Sequence, residues 1–503
     1  MPFFNSIFSW VMKKRVHQIE LFLKYPHEVQ EEWVYKLIAT AQNTEWGKKY
    51  DYKSIKTIDQ YKERVPVQEY DSIKPYVERL RNAEQNLLWP TEIKWFSKSS
   101  GTTSDKSKFI PVSQEALEES HYKGGKDVLT IYCNNNPDTK LFTGKGLTLG
   151  GSHQSNNLSN DSYYGDLSSI LIQNAPFWVD LIRTPVRSIA LIDEFEKKMS
   201  KIIEATLEEN VTNIAGVPSW ILVLLKRVLE TTGKQNVLEV WPNLELFIHG
   251  GINFEPYRKQ YELLLPGNGM NYLETYSASE GFFGVQDQKG ISDMLLMLDY
   301  GIYYEFIPME ELEKDHPNTL SLEQVEVGKN YALVISTNAG LWRYKIGDTI
   351  QFTSIDPYRI KVTGRTKQFI NAFGEELIID NAERAIEIAC SKSGASVKDY
   401  TAGPIYMNGD DSGAHEWLVE FDQKPADLNE FGKLLDAALK MLNSDYEAKR
   451  KADLALKGPV IKELEQGSFF NWMKSRGKLG GQNKVPRLSN DRRYIEEIYK
   501  MIN

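Results

Sequence analysis

The chain has 503 residues, of which 41% are hydrophobic and 26% are charged, and its formal net charge is −9. The length exceeds what one hydrophobic core usually supports, and the composition excludes a disordered or fibrous protein. Because a net negative charge repels a phosphate backbone and no long run of Lys and Arg offsets it, the sequence also argues against nucleic acid as a partner.

The N-terminus and the cysteines favour a cytoplasmic protein. Residues 1–11 are largely apolar and precede the basic residues 13–15, which is the reverse of a secretory signal, and they are too few to span a bilayer. Cys133 and Cys390 lie far apart in the sequence, which argues against a disulfide framework or a thiolate metal site and suits a reducing compartment. We therefore expect no integral membrane span.

The first informative element is a strand at residues 94–96, followed by the stretch 97–108, which is rich in serine, threonine and lysine. Glycine lets the backbone approach a ligand closely, N–H groups and hydroxyls donate to anionic oxygens, and Lys106 and Lys108 add positive charge. The stretch therefore predicts a phosphate-binding loop, and an ordinary solvated loop is the alternative. The stricter template Gly-x-x-x-x-Gly-Lys-Ser/Thr is absent from it.

Helical and strand patterns then alternate along most of the chain, which predicts an α/β fold. The β-rich runs at residues 244–248 and 331–336 predict strands. A turn and a short strand at 359–362 mark the best candidate for a domain boundary. Beyond it, the clearest helix begins at Asp427 as N-cap, with Glu430 as its capping partner.

Three further polar segments follow the first loop, at residues 275–281 (TYSASEG), 341–348 (LWRYKIGD) and 364–370 (GRTKQFI). Each alone also has a structural interpretation, such as a Gly-Asp turn, a buried tyrosine or an arginine in an ion pair. Together they contain what a nucleotide requires: a ring for stacking, an acceptor for ribose hydroxyls, a carboxylate for Mg²⁺, and cations for phosphate.

In this order, the segments 99–103, 276–280, 344–348 and 364–365 resemble the motif series of the adenylate-forming superfamily, which includes acyl-CoA synthetases, nonribosomal adenylation domains and luciferase. Within it, the chain most resembles the GH3 family, the acyl acid amido synthetases best known from plant auxin and jasmonate conjugation. The segments specific to this likeness are 241–243 leading to 250–251, 276–284, 339–344 and 481–487. One departure is Lys345, which stands where relatives usually carry arginine and lacks the bidentate fork.

The resemblance implies a large N-terminal adenylate-forming domain of several sheets flanked by helices, at residues 1–365, and a smaller, mobile α+β domain at residues 366–503. It also implies an ATP- and Mg²⁺-dependent ligase. A carboxylic acid would first be activated as acyl-AMP with release of pyrophosphate, and the acyl group would then pass to the amine of an amino acid with release of AMP.

The resemblance assigns roles to individual positions. Tyr276 would stack on adenine, Asp348 would accept from the ribose hydroxyls, and Glu280 would hold Mg²⁺. Lys484 would approach the α-phosphate, and Lys367 would be the hinge about which the small domain rotates. The residues that would bind ATP or AMP are Ser99, Ser100, Gly101, Thr102, Thr103, Lys108, Gly250, Gly251, Thr275, Tyr276, Ser277, Asp348 and Arg365.

The acyl pocket is expected, by position, to draw on residues 113–132 and 216–220, which would place His121, Tyr122 or Trp220 near the acid. The alternative for these three residues is an amphipathic helix and a core tryptophan. Nothing in the sequence requires an oligomer, so we expect a monomer.

Two other functions stay open. One is a related ligase that passes the acyl group of the adenylate to a thiol such as coenzyme A. The segment around Lys484 favours amide formation over this alternative. The other is a nucleotide-binding regulatory protein without catalytic activity. The joint presence of Glu280, Asp348 and Lys484 argues against this second function.

Overall fold

The computed structural model describes residues 15–99, 108–150, 153–155, 161–177, 179–192, 194–251, 254–366, 369–370, 375, 377–405, 413–443, 446–447, 450, 456–478, 484–489 and 491–502. The chain divides into two compact units, a larger one that takes in most of the chain up to Val362 and a smaller one made mainly of the residues from Thr363 onward. No helix among the described residues is long and apolar enough to cross a membrane. The apolar stretch 1–11 lies outside the described residues.

Helices and strands alternate along the chain, which confirms the predicted α/β class. The strands are β1 (Trp95–Ser99), β2 (Lys108–Val112), β3 (Lys145–Thr148), β4 (His153–Ser155), β5 (Tyr163–Gly165), β6 (Arg183–Thr184), β7 (Val211–Gly216), β8 (Leu246–Gly250), β9 (Asn271–Ala278), β10 (Gly281–Val285), β11 (Met294–Leu296), β12 (Ile302–Pro308), β13 (Asn330–Thr337), β14 (Tyr344–Ile355), β15 (Tyr358–Arg365), β16 (Phe369–Ile370), β17 (Leu377–Ile378), β18 (Ser396–Ile405), β19 (Ala414–Gln423) and β20 (Val460–Leu464).

The helices flank these strands. The longer ones are Pro26–Ala41, Ile58–Arg64, Tyr70–Arg81, Lys123–Asn135, Leu167–Asn174, Phe195–Thr206, Pro218–Thr232, Glu255–Leu264, Ile379–Ser393, Leu428–Leu442, Ser468–Ser475 and Arg493–Ile502. A π-helix, Leu117–Tyr122, runs directly into the helix Lys123–Asn135. Because π-helical turns are rare and concentrate at functional sites, this one marks the segment for closer inspection.

The larger unit contains an eleven-stranded sheet and a four-stranded sheet. The strand order of the large sheet is β12-β13-β14-β15-β11-β10-β9-β8-β7-β3-β6, and that of the small one is β2-β1-β5-β4. Strand β8 is parallel to both β7 and β9, whereas β9 and β10 form an antiparallel pair joined by a tight turn. Both predicted strands, at 244–248 and 331–336, are present as β8 and β13, with β8 displaced by two residues.

The smaller unit contains a hairpin-like pair, β16 and β17, and the sheet β18-β19-β20. The helices Ile379–Ser393 and Leu428–Leu442 supply apolar side chains to one core cluster with that sheet. Asp427 caps the second helix as predicted, since its side chain accepts from the N–H of Asn429 at 2.8 Å. The predicted capping partner Glu430 instead forms an exposed 3.5 Å ion pair with Lys433.

Candidate active site

Tyr276 and Asp348 meet in the interior of the larger unit. The tyrosine hydroxyl donates to Oδ2 of the aspartate at 2.6 Å, and the two residues are only 7% and 4% exposed. The ring of Tyr276 also lies 4.8 Å from that of Phe283, measured between centroids. A short bond to a buried carboxylate fixes both side chains, because either polar group would be costly to leave unpaired there.

Both residues lie at β-bulges. On β14, residues 346–348 lie between the pairs Val334 with Lys345 and Ala332 with Thr349, so three residues of this strand face one residue of β13. Gly347 accommodates the bend with a φ of 95°, which a side chain would strain. A bulge bends its strand and redirects a side chain, and this one determines where Asp348 points.

The bulge beside Tyr276 belongs to the neighbouring strand. Gly284 of β10 pairs with Tyr276 and Phe282 pairs with Ser277, which leaves Phe283 as an extra residue. The turn after β9 carries Ser279 and Glu280, which are 4% and 8% exposed. The sequence motif 276–280 therefore covers the end of one strand and the tight turn into the next.

Of the two glycines predicted to bind ATP or AMP, Gly250 is the last residue of β8 and Gly251 follows it. Gly250 is paired with Thr275 of the parallel strand β9, and a Cβ at this glycine would lie 2.3 Å from the carbonyl oxygen of Thr275. The hydroxyl of Thr275 donates to the carbonyl of His249 at 3.2 Å. Gly251 follows with a φ of 80° and is exposed. The close approach of β8 and β9 thus requires glycine at 250 for a structural reason, and the nucleotide-binding role stays a prediction.

Most of the predicted phosphate loop lies outside the described residues. Ser99 ends β1, but its side chain and residues 100–107, which include Ser100, Gly101, Thr102 and Thr103, are not described. Lys108 begins β2, with its Nζ 5.7 Å from the centroid of the Tyr70 ring.

One residue at the base of this loop was not identified from the sequence. Ser97, in the middle of β1, donates its hydroxyl to Oγ of Ser279 at 2.9 Å, and the two serines are 0% and 4% exposed. The only signal in the sequence is that Ser97 opens the stretch of small hydroxylated residues. Its partner is 182 residues away in the chain.

The two cations of the segment 341–348, Arg343 and Lys345, are both engaged in ion pairs within the larger unit. Arg343 is 4% exposed and donates to Glu305, to Thr319 and to the backbone carbonyls of Lys62 and Val65, so its guanidinium is engaged in a buried network. It also adopts a φ of 45°, which is unusual for a residue with a side chain. Arg343 thus forms a buried ion pair with Glu305, which agrees with the structural interpretation of this arginine given from the sequence.

Lys345 is similarly engaged, in an ion pair with Glu69 at 2.6 Å. The backbone of the same N-terminal segment joins β14 here, since Gln68 donates its N–H to the carbonyl of Arg343 and accepts from the N–H of Lys345, both at 2.8 Å. This segment therefore fixes the start of β14, four residues before Asp348.

The three candidates for the acyl pocket differ. His121, in the π-helix, is 4% exposed, and its Nδ1 has no hydrogen-bond partner among the described residues. Burial lowers the pKa of His121 to about 4, so the imidazole is neutral at pH 7. Tyr122 is half-buried and donates to the carbonyl of Leu171 at 2.9 Å. The side chain of Trp220 lies outside the part of the chain that the structure describes.

The π-helix lies close to the turn that carries Glu280. The hydroxyl of Ser120 accepts a hydrogen bond from the backbone N–H of Phe282 at 3.0 Å, two residues after Glu280. Gly124 packs against the ring of Phe282, where an added Cβ would approach to 2.5 Å. His121 is therefore held next to the predicted catalytic turn by a hydrogen bond and by close packing.

The smaller unit contains Lys484, which is exposed and precedes residues 485–489. The side chain of Arg365, at the end of β15, and all of Lys367 lie outside the description. The structure thus brings together Tyr276, Asp348 and the turn of Glu280 within the larger unit, and the roles predicted for Arg365, Lys367 and Lys484 stay predictions.

Three family models match this chain. The GH3 family N-terminal domain matches residues 15–270, the central domain residues 295–365, and the C-terminal domain residues 380–493. The indole-3-acetic acid-amido synthetase GH3.3 of Arabidopsis thaliana is 24% identical, over 94% of this chain and 91% of that protein. The jasmonoyl-L-amino acid synthetase GH3.5 of Oryza sativa subsp. japonica is also 24% identical, over 95% of each.

Solved structures share the fold. The GH3.15 acyl acid amido synthetase superposes with a TM-score of 0.81 at 17% identity, over 97% of this chain and 95% of that one. A 2-hydroxyisobutyryl-CoA ligase, solved in the postadenylation state, superposes with a TM-score of 0.55 at 12% identity, over 94% and 90%. The GH3 resemblance inferred from the motifs is thereby confirmed, and the chain belongs to the GH3 family.

Proposed function

We propose that this protein uses ATP and Mg²⁺ to couple a carboxylic acid to an amino acid or another amine, and that the region around Tyr276 and Asp348 binds the adenosine. The observation that carries this proposal is the buried hydrogen bond between these two residues, which come from motifs 72 positions apart. An aromatic ring and a carboxylate acceptor held next to each other suit a nucleoside.

The reaction has two steps. A carboxylate oxygen of the acid attacks the α-phosphorus of ATP, the bond to the β-phosphate breaks, and pyrophosphate leaves. The amine nitrogen then attacks the acyl carbon, the bond to AMP breaks, and the nitrogen loses a proton to solvent. AMP is a far better leaving group than oxide, so the protein mainly positions the reactants and stabilises phosphoryl charge.

Individual side chains have defined tasks in this proposal. Asp348 accepts from a ribose hydroxyl as well as from Tyr276, since a carboxylate offers about four acceptor sites. The ring of Tyr276 stacks on the base. Its neighbours in the sequence, Thr275 and Ser277, also contribute to nucleotide binding. The loop from Ser99 to Thr103 donates to the β- and γ-phosphates.

Glu280 fits a magnesium site in part. It places a carboxylate, 8% exposed, on the turn next to Ser279. No group of three or more His, Cys, Asp or Glu side chains is clustered as a metal site in the described part of the chain. Mg²⁺ commonly binds one or two carboxylates together with substrate phosphates and water, so one glutamate suffices. When bound, the ion would neutralise phosphate charge.

The acid is proposed to lie against the π-helix. His121 offers a neutral imidazole there at pH 7. We also propose that the adenylation domain comprises residues 1–365 and the mobile domain residues 366–503, with Lys367 as hinge and Lys484 at the α-phosphate during adenylation. A cytoplasmic monomer suits two small-molecule substrates.

The test is acid-dependent exchange of labelled pyrophosphate into ATP, with a broad panel of carboxylic acids. Active acids are then incubated with ATP and either an amino acid panel or coenzyme A, and the products are identified by mass. An amide product supports the proposal, and a thioester would instead establish a coenzyme A ligase. If the protein binds ATP but catalyses no pyrophosphate exchange with any acid of the panel, the catalytic proposal fails and a regulatory nucleotide-binding role replaces it.

A further inference from the structure

A hydrogen bond between two buried serines joins the two sheets of the larger unit. The hydroxyl of Ser97 donates to Oγ of Ser279 at 2.9 Å, and the two residues are 0% and 4% exposed. Ser97 belongs to the four-stranded sheet, and Ser279 lies in the turn between two strands of the eleven-stranded sheet. Neither residue belongs to the set of predicted binding residues.

Ser97 occupies a fixed position. It lies in the middle of β1, opposite Ile110 of the antiparallel strand β2 and Gly165 of the parallel strand β5. A strand paired on both sides moves little, because its backbone groups are held by two ladders. Ser99, the first residue of the predicted phosphate loop that is expected to bind ATP, follows two residues later, so Ser97 is a rigid anchor at the start of that loop.

Ser279 immediately precedes Glu280 and follows Tyr276 by three residues. Its hydroxyl has one donor hydrogen and two acceptor positions. When Ser279 accepts from Ser97, its own hydrogen must point elsewhere and can be donated to another oxygen. In a buried site, an anionic oxygen is the strongest acceptor that can occupy that place.

We propose that Ser97 is a positioning residue that acts through Ser279: it orients the Ser279 hydroxyl to donate to a phosphate oxygen of bound ATP, and it links the base of the phosphate loop to the turn of Glu280. This inference rests on the proposed binding of ATP by this unit. The contact therefore serves the phosphates of the nucleotide and contributes nothing to the affinity for adenosine.

The alternative is that the serine pair only stabilises the packing of the two sheets. In that case, loss of the Ser97 hydroxyl would lower the thermal unfolding midpoint and affect all ligands alike. The ratio of the affinities for ATP and adenosine separates the two explanations, because a purely structural defect leaves the ratio unchanged.

The experiment compares Ser97→Ala, Ser279→Ala and the double variant with the wild type, by calorimetric titration with Mg·ATP and with adenosine. Ser169→Ala is the matched control, since Ser169 is also fully buried and donates its hydroxyl to a backbone carbonyl, that of Asp166, at 2.8 Å. We expect Ser97→Ala to weaken ATP binding about tenfold, the loss typical of one hydrogen bond to a charged group, with adenosine binding unchanged. Ser169→Ala should leave the ratio as in the wild type.

The double variant tests the route of the effect. If Ser97 acts through Ser279, the Ser97→Ala change has no further effect on ATP affinity in the Ser279→Ala background. The inference would be overturned if the losses of ATP affinity in the two single variants multiplied in the double variant. It would also be overturned if Ser97→Ala kept the wild-type ratio of the affinities for ATP and adenosine. A protein that binds ATP with this dependence on Ser97 but exchanges no pyrophosphate disproves the catalytic proposal alone, and one that binds neither ligand disproves both.

Discussion

The hydroxyl of Tyr276 lies 2.6 Å from Oδ2 of Asp348, although three other strands lie between β9, which carries the tyrosine, and β14, which carries the aspartate. In a flat sheet, four steps of about 4.8 Å would place β9 and β14 about 19 Å apart. The contact therefore depends on strong twisting and curling of the large sheet, assisted by the bulges beside both residues.

Tyr276→Phe keeps the ring and removes the bond to Asp348. Because a hydrogen bond to a charged group is worth ~1.5–3 kcal/mol, we expect ATP and adenosine to bind at least about tenfold more weakly. Isothermal titration measures both affinities. Tyr303→Phe is the control, since the buried hydroxyl of Tyr303 has no hydrogen-bond partner in the described part of the chain, and its loss should leave both affinities unchanged. Wild-type affinities in Tyr276→Phe would remove this contact from nucleotide binding.

Glu280→Gln keeps the shape of the side chain and removes its charge. We expect the rate of pyrophosphate exchange to fall about 100-fold or more and the Mg²⁺ concentration for half-maximal rate to rise, since a carboxylate ligand of the metal is lost. A magnesium titration of the exchange rate checks this. Glu209→Gln removes a glutamate that pairs with Lys145 at 2.7 Å, away from the site, and should leave the titration unchanged. An unaltered magnesium requirement in Glu280→Gln would contradict the metal role.

Lys484→Ala should slow adenylate formation about 100-fold, because a cation next to the α-phosphate stabilises the charge that develops in the transition state. Affinity for ATP should change little. Rapid-quench measurement of acyl-AMP and a binding titration give the two quantities. Lys462→Ala is the control, an exposed lysine of the same unit on β20. Normal adenylation by Lys484→Ala would exclude this lysine from the chemistry.

Arg343→Met should destabilise the larger unit strongly. The substitution leaves Glu305, which is 0% exposed, as a buried charge without its partner, at a cost of ~3–5 kcal/mol. Adding Glu305→Gln removes that charge, so the double variant should regain part of the loss. The midpoint of urea unfolding measures the stability of the single and the double variant. Arg79→Met breaks an exposed ion pair with Glu45, 2.7 Å long, and should have a much smaller effect. A double variant less stable than Arg343→Met would contradict this account.

His121 should make the protein less stable in mild acid. Its pKa is about 4 in the folded protein and near 6.5 when unfolded, so between these values the unfolded chain binds the extra proton and stability falls as the pH falls. From pH 7 to pH 5 this contribution amounts to about 2 kcal/mol. The His121→Phe variant lacks this pH-dependent contribution, so its urea unfolding midpoint should decline less than that of the wild type between pH 7 and pH 5. Equal slopes in both proteins would show that His121 is not held neutral by burial.

The sequence predicted the local elements well where the pattern itself determines the structure. Asp427 caps its helix because an aspartate side chain can reach the N–H groups of the first turn. Gly347 allows the bend before Asp348 because it lacks a Cβ. The partner of Arg343 was missed, because Glu305 is distant in the sequence and only burial makes their pairing obligatory.

The sequence by itself determined the α/β class, the family and the order of the polar motifs, since these depend on side-chain periodicity and on short segments that act locally. Only the tertiary structure decided which of those motifs meet. The curl of the sheet brought Tyr276 to Asp348, and the packing of two sheets brought Ser97 to Ser279. Contacts of this kind depend on how strands far apart in the chain are arranged, and no local pattern records that arrangement.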